Sequence, residues 1–72
     1  MYSDLTEREL AILTSLANGE TYTDIIRELG LKKTLVAHSR KMLFLKLGEA
    51  KTAAHAVALG YHKGILKVPV RK

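Results

Sequence analysis

Lys32, Lys33, Thr34, His38 and Lys41 are the residues of this chain whose types and spacing best fit a chemistry, and that chemistry is recognition of a polyanion. On a helix turning about 100° per residue, Thr34, His38, Lys41 and Leu45 fall together, and Val36, Leu43 and Leu47 fall on the opposite side. Ammonium groups neutralise anionic oxygens, and hydroxyls and imidazoles add directional hydrogen bonds. The charge distribution agrees with this. The net charge is +5, but residues 1–31 hold two bases against six acids, or −4, and residues 32–72 hold ten bases against one acid, or +9. A field so polarised draws an anionic partner to part of the surface. A surplus of solvated lysines explains the same numbers without a partner, and charge by itself does not separate the two readings.

Bond-making chemistry finds no equivalent constellation. His38, His55 and His62 stand in no metal-ligand spacing, and no acid joins them on a shared face. The chain has no cysteine, which excludes disulfides, thiolate metal sites and thiol nucleophiles. It has neither a glycine-rich phosphate loop nor a nucleophile elbow, so no enzyme, cofactor or metal is expected. Met1-Tyr2-Ser3-Asp4 lacks the basic and then apolar pattern of a leader, and no apolar run reaches the roughly eighteen residues of a membrane span. The expectation is a soluble cytoplasmic protein with no membrane partner.

The elements that must position the basic face can be read from caps and periodicity. Thr6 with Glu9 forms a capping box, Leu5 is placed for a hydrophobic staple, and Leu10, Leu13, Leu16 and Ala17 recur at helical spacing with Ile12 beside them. Asn18-Gly19 then ends a first helix over about 7–18. Thr21 and Asp24 repeat the capping signal before Ile25, Ile26 and Leu29, and Gly30 closes a short second helix. A third helix spans Lys33 to Leu47 and stops at Gly48. Two helices joined by three or four residues including a glycine have the pattern of a helix-turn-helix.

A fourth helix follows over Lys51 to His62. Ala53, Ala54, Val57, Ala58 and Tyr61 share a stripe on it. Small side chains permit close approach of another helix, either from a second copy or from the first helix of the same chain. Gly60 within it costs about 1 kcal/mol relative to alanine. Gly64 closes the helix, Ile65 and Leu66 are expected to fold back, and residues 67–72, with Pro69, read as a basic tail. The expected architecture is therefore all-α: one four-helix, bundle-like domain over 1–66 with a C-terminal tail over 67–72. Its 72 residues lie near the lower limit for a core without staples.

Taken together, these residues resemble the four-helix DNA-binding domain of LuxR/FixJ/GerE-type transcriptional regulators. The resemblance is carried by Leu5-Thr6-Glu7-Arg8-Glu9, Asn18-Gly19, Ile25, Arg27-Glu28-Leu29-Gly30-Leu31, Val36, Lys46-Leu47-Gly48 and Ala54-His55-Ala56-Val57-Ala58-Leu59. It implies that the third helix enters the major groove of double-stranded DNA, that the second supports it, and that the fourth forms a homodimer on DNA. Departures cluster at the reading turn. Lys32 stands where the family usually has serine or threonine, Leu35-Val36-Ala37 replaces a common Thr-Val-Lys, Ser39 replaces a frequent histidine, and the turn after Gly48 is one residue longer.

On that resemblance the expected DNA-contacting set is Thr21, Tyr22, Thr23, Lys32, Lys33, Thr34, Leu35, Ala37, His38 and Lys41, and the expected dimer set is Ala53, Ala54, Val57, Ala58 and Tyr61. Each has a plainer reading beside it. Thr21 is explained by capping, Leu35 by packing and His38 by solvation. Arg40, toward the buried side, is expected to pair with an acid of the first or second helix or to contact phosphate. The implied function is sequence-specific transcriptional regulation by a small, complete regulator, associated with the nucleoid while bound to DNA. Two alternatives remain: a sigma region 4-like domain, against which the Ala-His-Ala-Val-Ala run speaks, and a stand-alone interaction module that sequesters a larger regulator.

Overall fold

The computed structural model describes residues 5–66, which form four helices and no strand: α1 (Glu7–Ala17), α2 (Tyr22–Leu29), α3 (Lys33–Lys46) and α4 (Ala53–His62). None of these helices is long and apolar enough to cross a membrane. The expected tail over 67–72 lies outside the described residues.

Both sequence-legible capping boxes form. The Thr6 hydroxyl accepts from the Glu9 amide at 3.1 Å while the Glu9 carboxylate accepts from the Thr6 amide at 3.0 Å. Thr21 and Asp24 repeat the exchange at 3.1 Å in both directions. Each box satisfies donors that a helix start otherwise leaves unpaired. At the end of α2, Gly30 adopts a left-handed backbone with φ +63°, and its amide donates to the Ile26 carbonyl at 3.0 Å. A β-carbon there would be strained, so glycine is what lets the chain reverse into α3 within three residues.

The core consists of Ile12, Leu13, Ile25, Val36, Leu43, Leu47 and Ala56, all fully buried. Burying side chains of the Val, Leu or Ile class contributes about 1.5–3 kcal/mol each. α1 packs on both α3 and α4, and α2 packs on α3. The third helix divides as its periodicity predicts, with Val36, Leu43 and Leu47 inside. Ser39 joins that face at 5% exposure, although its polarity disguises it in the sequence.

Three expectations need correction. Leu10 is not part of the packed stripe: it is 41% exposed, because α1 buries the face bearing Glu9, Ile12 and Leu13. The fourth helix begins at Ala53 rather than Lys51, since Thr52 is its cap and accepts from the His55 amide at 3.0 Å. The turn before it includes Gly48 at φ +111° and then Glu49 at φ +62°, a conformation uncommon for a residue with a β-carbon. The close approach of α4 to α1 also uses a different side from the stripe of small residues read above. Ala56 and Gly60 are the buried positions of α4. A β-carbon on Gly60 would stand 2.9 Å from Leu66 Cδ1 and 3.1 Å from Leu13 Cδ2. The chain also folds back as anticipated, with the Ile65 and Leu66 amides donating to the Gly60 carbonyl at 2.9 and 3.1 Å.

One ion pair ties the ends of the fold together. Lys46 Nζ, at the last residue of α3, donates to Glu9 Oε1 at 2.9 Å, and the Glu9 side chain is 6% exposed. Burial raises the Glu9 pKa, but the Lys46 hydrogen bond, the Thr6 amide and the Lys46 charge outweigh it, so the carboxyl titrates below its ordinary range.

Two outcomes are expected from these contacts. Glu9→Ala takes away the acceptor that Lys46 Nζ and the Thr6 amide share and should lower unfolding stability by about 2–3 kcal/mol in denaturant titration. Because the folded pKa is the lower one, the Glu9 contribution is complete above the unfolded value of 4.5 and disappears as pH falls through the folded value. The difference between wild type and Glu9→Ala should therefore shrink in acid, and a constant difference would remove the ion pair from the account. At Gly60, alanine meets movable side-chain ends and should change stability by no more than about 1 kcal/mol, whereas Gly60→Val should cost about 2 kcal/mol or more in the same titration.

Candidate nucleic-acid interface

Residues 32–48 contain five bases and no acid. The fold turns the outer side of this segment to solvent. Lys32, Lys33, Thr34, Ala37, His38 and Lys41 are all exposed, and Leu35 is half-buried at the margin. The side chains of Lys33, Thr34, His38 and Lys41 make no ion pair or hydrogen bond among the described residues. A row of cations and donors left without internal partners is available to an external anion.

The first turn of α3 is held in an unusual way. Lys32 occupies the N-cap, and no side chain caps the helix start. The amides of this turn are therefore not consumed by a cap and add the positive end of the helix dipole to the lysine charges. The turn is fixed instead through its carbonyl side, where the Tyr22 hydroxyl donates to the Lys33 carbonyl at 3.0 Å. A hydroxyl expected to touch phosphate thus has an internal acceptor and orients the helix that carries the lysines.

Arg40 takes a similar supporting position, which corrects its expected pairing with an acid. Its guanidinium carbon lies 5.5 Å from the Tyr22 ring centroid and 5.1 Å from that of Phe44, and no carboxylate pairs with it among the described residues. The two rings hold the cation by their negative faces and bridge α2 to α3. Arg40 and Phe44 stand at i and i+4, so their contact was available from the sequence. The inclusion of Tyr22 required knowledge of how α2 docks. The acid expected to pair across helices does exist, but it is Glu9 and its partner is Lys46.

The start of α2 has a different electrostatic character. Asp24 has a lowered pKa, first through the Thr21 amide and then through the Thr21 hydroxyl, so an ionised carboxylate already occupies the positive end of this helix. Glu20, Asp24 and Glu28 follow at four-residue spacing. Glu28 titrates above its ordinary range, chiefly through a hydrogen bond to Glu20, then through desolvation and the charges of Glu20 and Asp24. Thr21 and Thr23 remain exposed at the edge of these acids. Thr21 already accepts a capping bond.

On α4, Ala53, Ala54 and Ala58 are exposed, Tyr61 is half-buried and Val57 packs at the edge of the core, so only the alanines of the stripe face outward, while Ala56 and Gly60 hold α1. No group of histidine, cysteine, aspartate and glutamate able to hold a metal ion occurs among the described residues.

Residues 3–59 match the family model described as bacterial regulatory proteins, luxR family. No curated protein and no solved structure matches the chain.

The bracing of α3 by α2 can be measured. Arg40→Met retains an apolar stem but loses the cation over two rings, and should cost about 1 kcal/mol of stability. Tyr22→Phe keeps its ring and loses the bond to the Lys33 carbonyl, at a similar cost. The double variant should show non-additivity, because both changes act on one ring. Strict additivity in a double-mutant cycle would mean that the stack does not couple the two helices.

Proposed function

The chain belongs to the luxR family of bacterial regulatory proteins, a DNA-binding helix-turn-helix family, and on that premise we propose a specific geometry for its regulatory role. α3 lies in the major groove of double-stranded DNA with Thr34, Ala37 and His38 toward base edges and Lys32, Lys33 and Lys41 toward phosphates. Thr21 and Thr23 border the backbone, and Leu35 packs at the groove margin. Tyr22 acts from inside the fold by orienting α3. Two copies pair through Ala53, Ala54, Val57, Ala58 and Tyr61 on α4, and act on the chromosome in the cytoplasm.

The observation that carries this reading is the acid-free outer side of α3, whose cations have no internal partners while its opposite side is fully packed. A lysine at a phosphate releases counterions, and the uncapped helix start contributes aligned amides to the same anion. Lys41, one helical turn from His38 and Ala37, lies within reach of a base acceptor or of the neighbouring strand. Alanine at position 37 offers only a methyl, which suits apolar contact with a thymine methyl. A dimer built on α4 would place two such helices about one turn of duplex, or roughly 10 bp, apart.

Selection of bound duplexes from a random pool tests the reading directly. A repeated half-site is the expected product, and recovery of no preferred sequence at physiological salt would favour a module that binds other proteins. Lys41→Ala should weaken binding to all sequences and reduce the salt slope by about 0.9 if Lys41 contacts one phosphate; an unchanged slope would take Lys41 off the backbone. Ala58→Glu places a charge on the exposed stripe without entering the core, and should abolish cooperative occupancy of paired half-sites. Persistence of that cooperativity would move the dimer contact away from α4.

A further inference from the structure

Beside the proposed DNA-reading side of α3 lies a recess of about 420 Å³ between the C-terminal half of α3 and the turn leading to α4. Phe44, Leu45 and Ala50 give it an apolar lining, and Arg40, Lys41 and Lys51 contribute cations. Leu45 is 51% exposed, one of two large apolar side chains left so open among the described residues. None of the three cations has a carboxylate partner among the described residues. Arg40 is already oriented by the rings of Tyr22 and Phe44, so little of its freedom remains to be lost on binding.

The geometry points to a protein-docking site here, whose occupant is an acidic amphipathic segment of a partner protein. A bulky apolar side chain of that segment fills the recess over Leu45 and Phe44, while flanking carboxylates meet Arg40, Lys41 and Lys51. The chemistry of the lining selects this occupant. A phosphate backbone would satisfy the cations but leave the exposed leucine and the apolar recess without a partner, whereas an acidic segment with an apolar anchor satisfies both. A second copy of the chain is a poorer complement, because Asp24 on its acidic α2 side is committed to the Thr21 cap and the Arg27 ion pair and no large apolar side chain stands exposed on α2 to serve as the anchor.

Lys41 belongs to this recess and also to the proposed DNA face. The segment therefore competes with the duplex, and docking would release the protein from DNA. Competition rests on the proposed α3 reading, while docking itself does not.

The test uses the whole chain, isotopically labelled, and a short fluorescent synthetic peptide in which aspartate and glutamate alternate with leucine and a central tryptophan. Binding should move the amide resonances of Leu45, Ala50 and Lys51. Leu45→Ser and Lys51→Glu, both at exposed positions, should each weaken the peptide by roughly tenfold. A peptide of equal charge with serine in place of leucine and tryptophan should bind at least tenfold more weakly. Equal binding of that control, equal binding to both variants, resonance changes confined to α2 or α4, or salt-dependent self-association abolished by Leu45→Ser would each overturn the docking site.

A selected duplex should displace the peptide. Lys33→Glu, remote from the recess, should weaken the duplex and leave the peptide within about twofold. Peptide docking that depends on Leu45 and Lys51 but resists displacement would uphold the recess and count against the DNA reading.

Discussion

The structure depends on a buried carboxylate. Glu9 completes the cap of α1 and accepts from the last residue of α3, so one side chain joins the beginning of the first helix to the end of the third. A charge placed inside a small core is unfavourable unless its oxygens are satisfied, and here Thr6 and Lys46 satisfy them. The constraint is directional as well as energetic. It fixes the distal end of α3 against α1, while Tyr22 fixes the proximal end against α2. Between those two points Val36, Ser39 and Leu43 face inward, with Leu47 buried just beyond them, and Thr34, His38 and Lys41 are turned out.

This division explains why a core of modest size can carry so uneven a charge. The cations of α3 need not repel one another strongly, because Lys46 is neutralised at Glu9 and Arg40 is spread over two rings. The remaining lysines stand in water, where repulsion is screened. Among the acids of the first half, Glu9 and Asp24 complete caps, and Glu20 and Glu28 flank Asp24 at four-residue spacing. The described residues thus present acids along α2 and bases along α3, and the uncapped start of α3 falls on the basic side.

α4 divides into a packed side and an open side. Ala56 and Gly60 admit α1 and the returning segment through Leu66, while Ala53, Ala54 and Ala58 look outward. The glycine that costs helix propensity is repaid by contact: at that position the absence of a side chain is what lets Leu13 and Leu66 close over the backbone.

Most of the local chemistry was legible in the sequence, the Thr52 cap of α4 excepted. The capping boxes at Thr6 and Thr21, the stop at Gly30 and the seven- and four-residue spacing of Val36, Leu43 and Leu47 depend on residues within a few positions of one another, and each formed as its neighbours dictated. The exposed, acid-free row on α3 followed from the same periodicity. Tertiary structure decided what lies between helices. It chose the face of α1 that excludes Leu10, brought Glu9 to Lys46 across thirty-seven positions, set Tyr22 against both Arg40 and Lys33, and selected Ala56 and Gly60 as the packed side of α4. Those contacts depend on the crossing of one helix over another, a geometry that no residue's immediate neighbours encode.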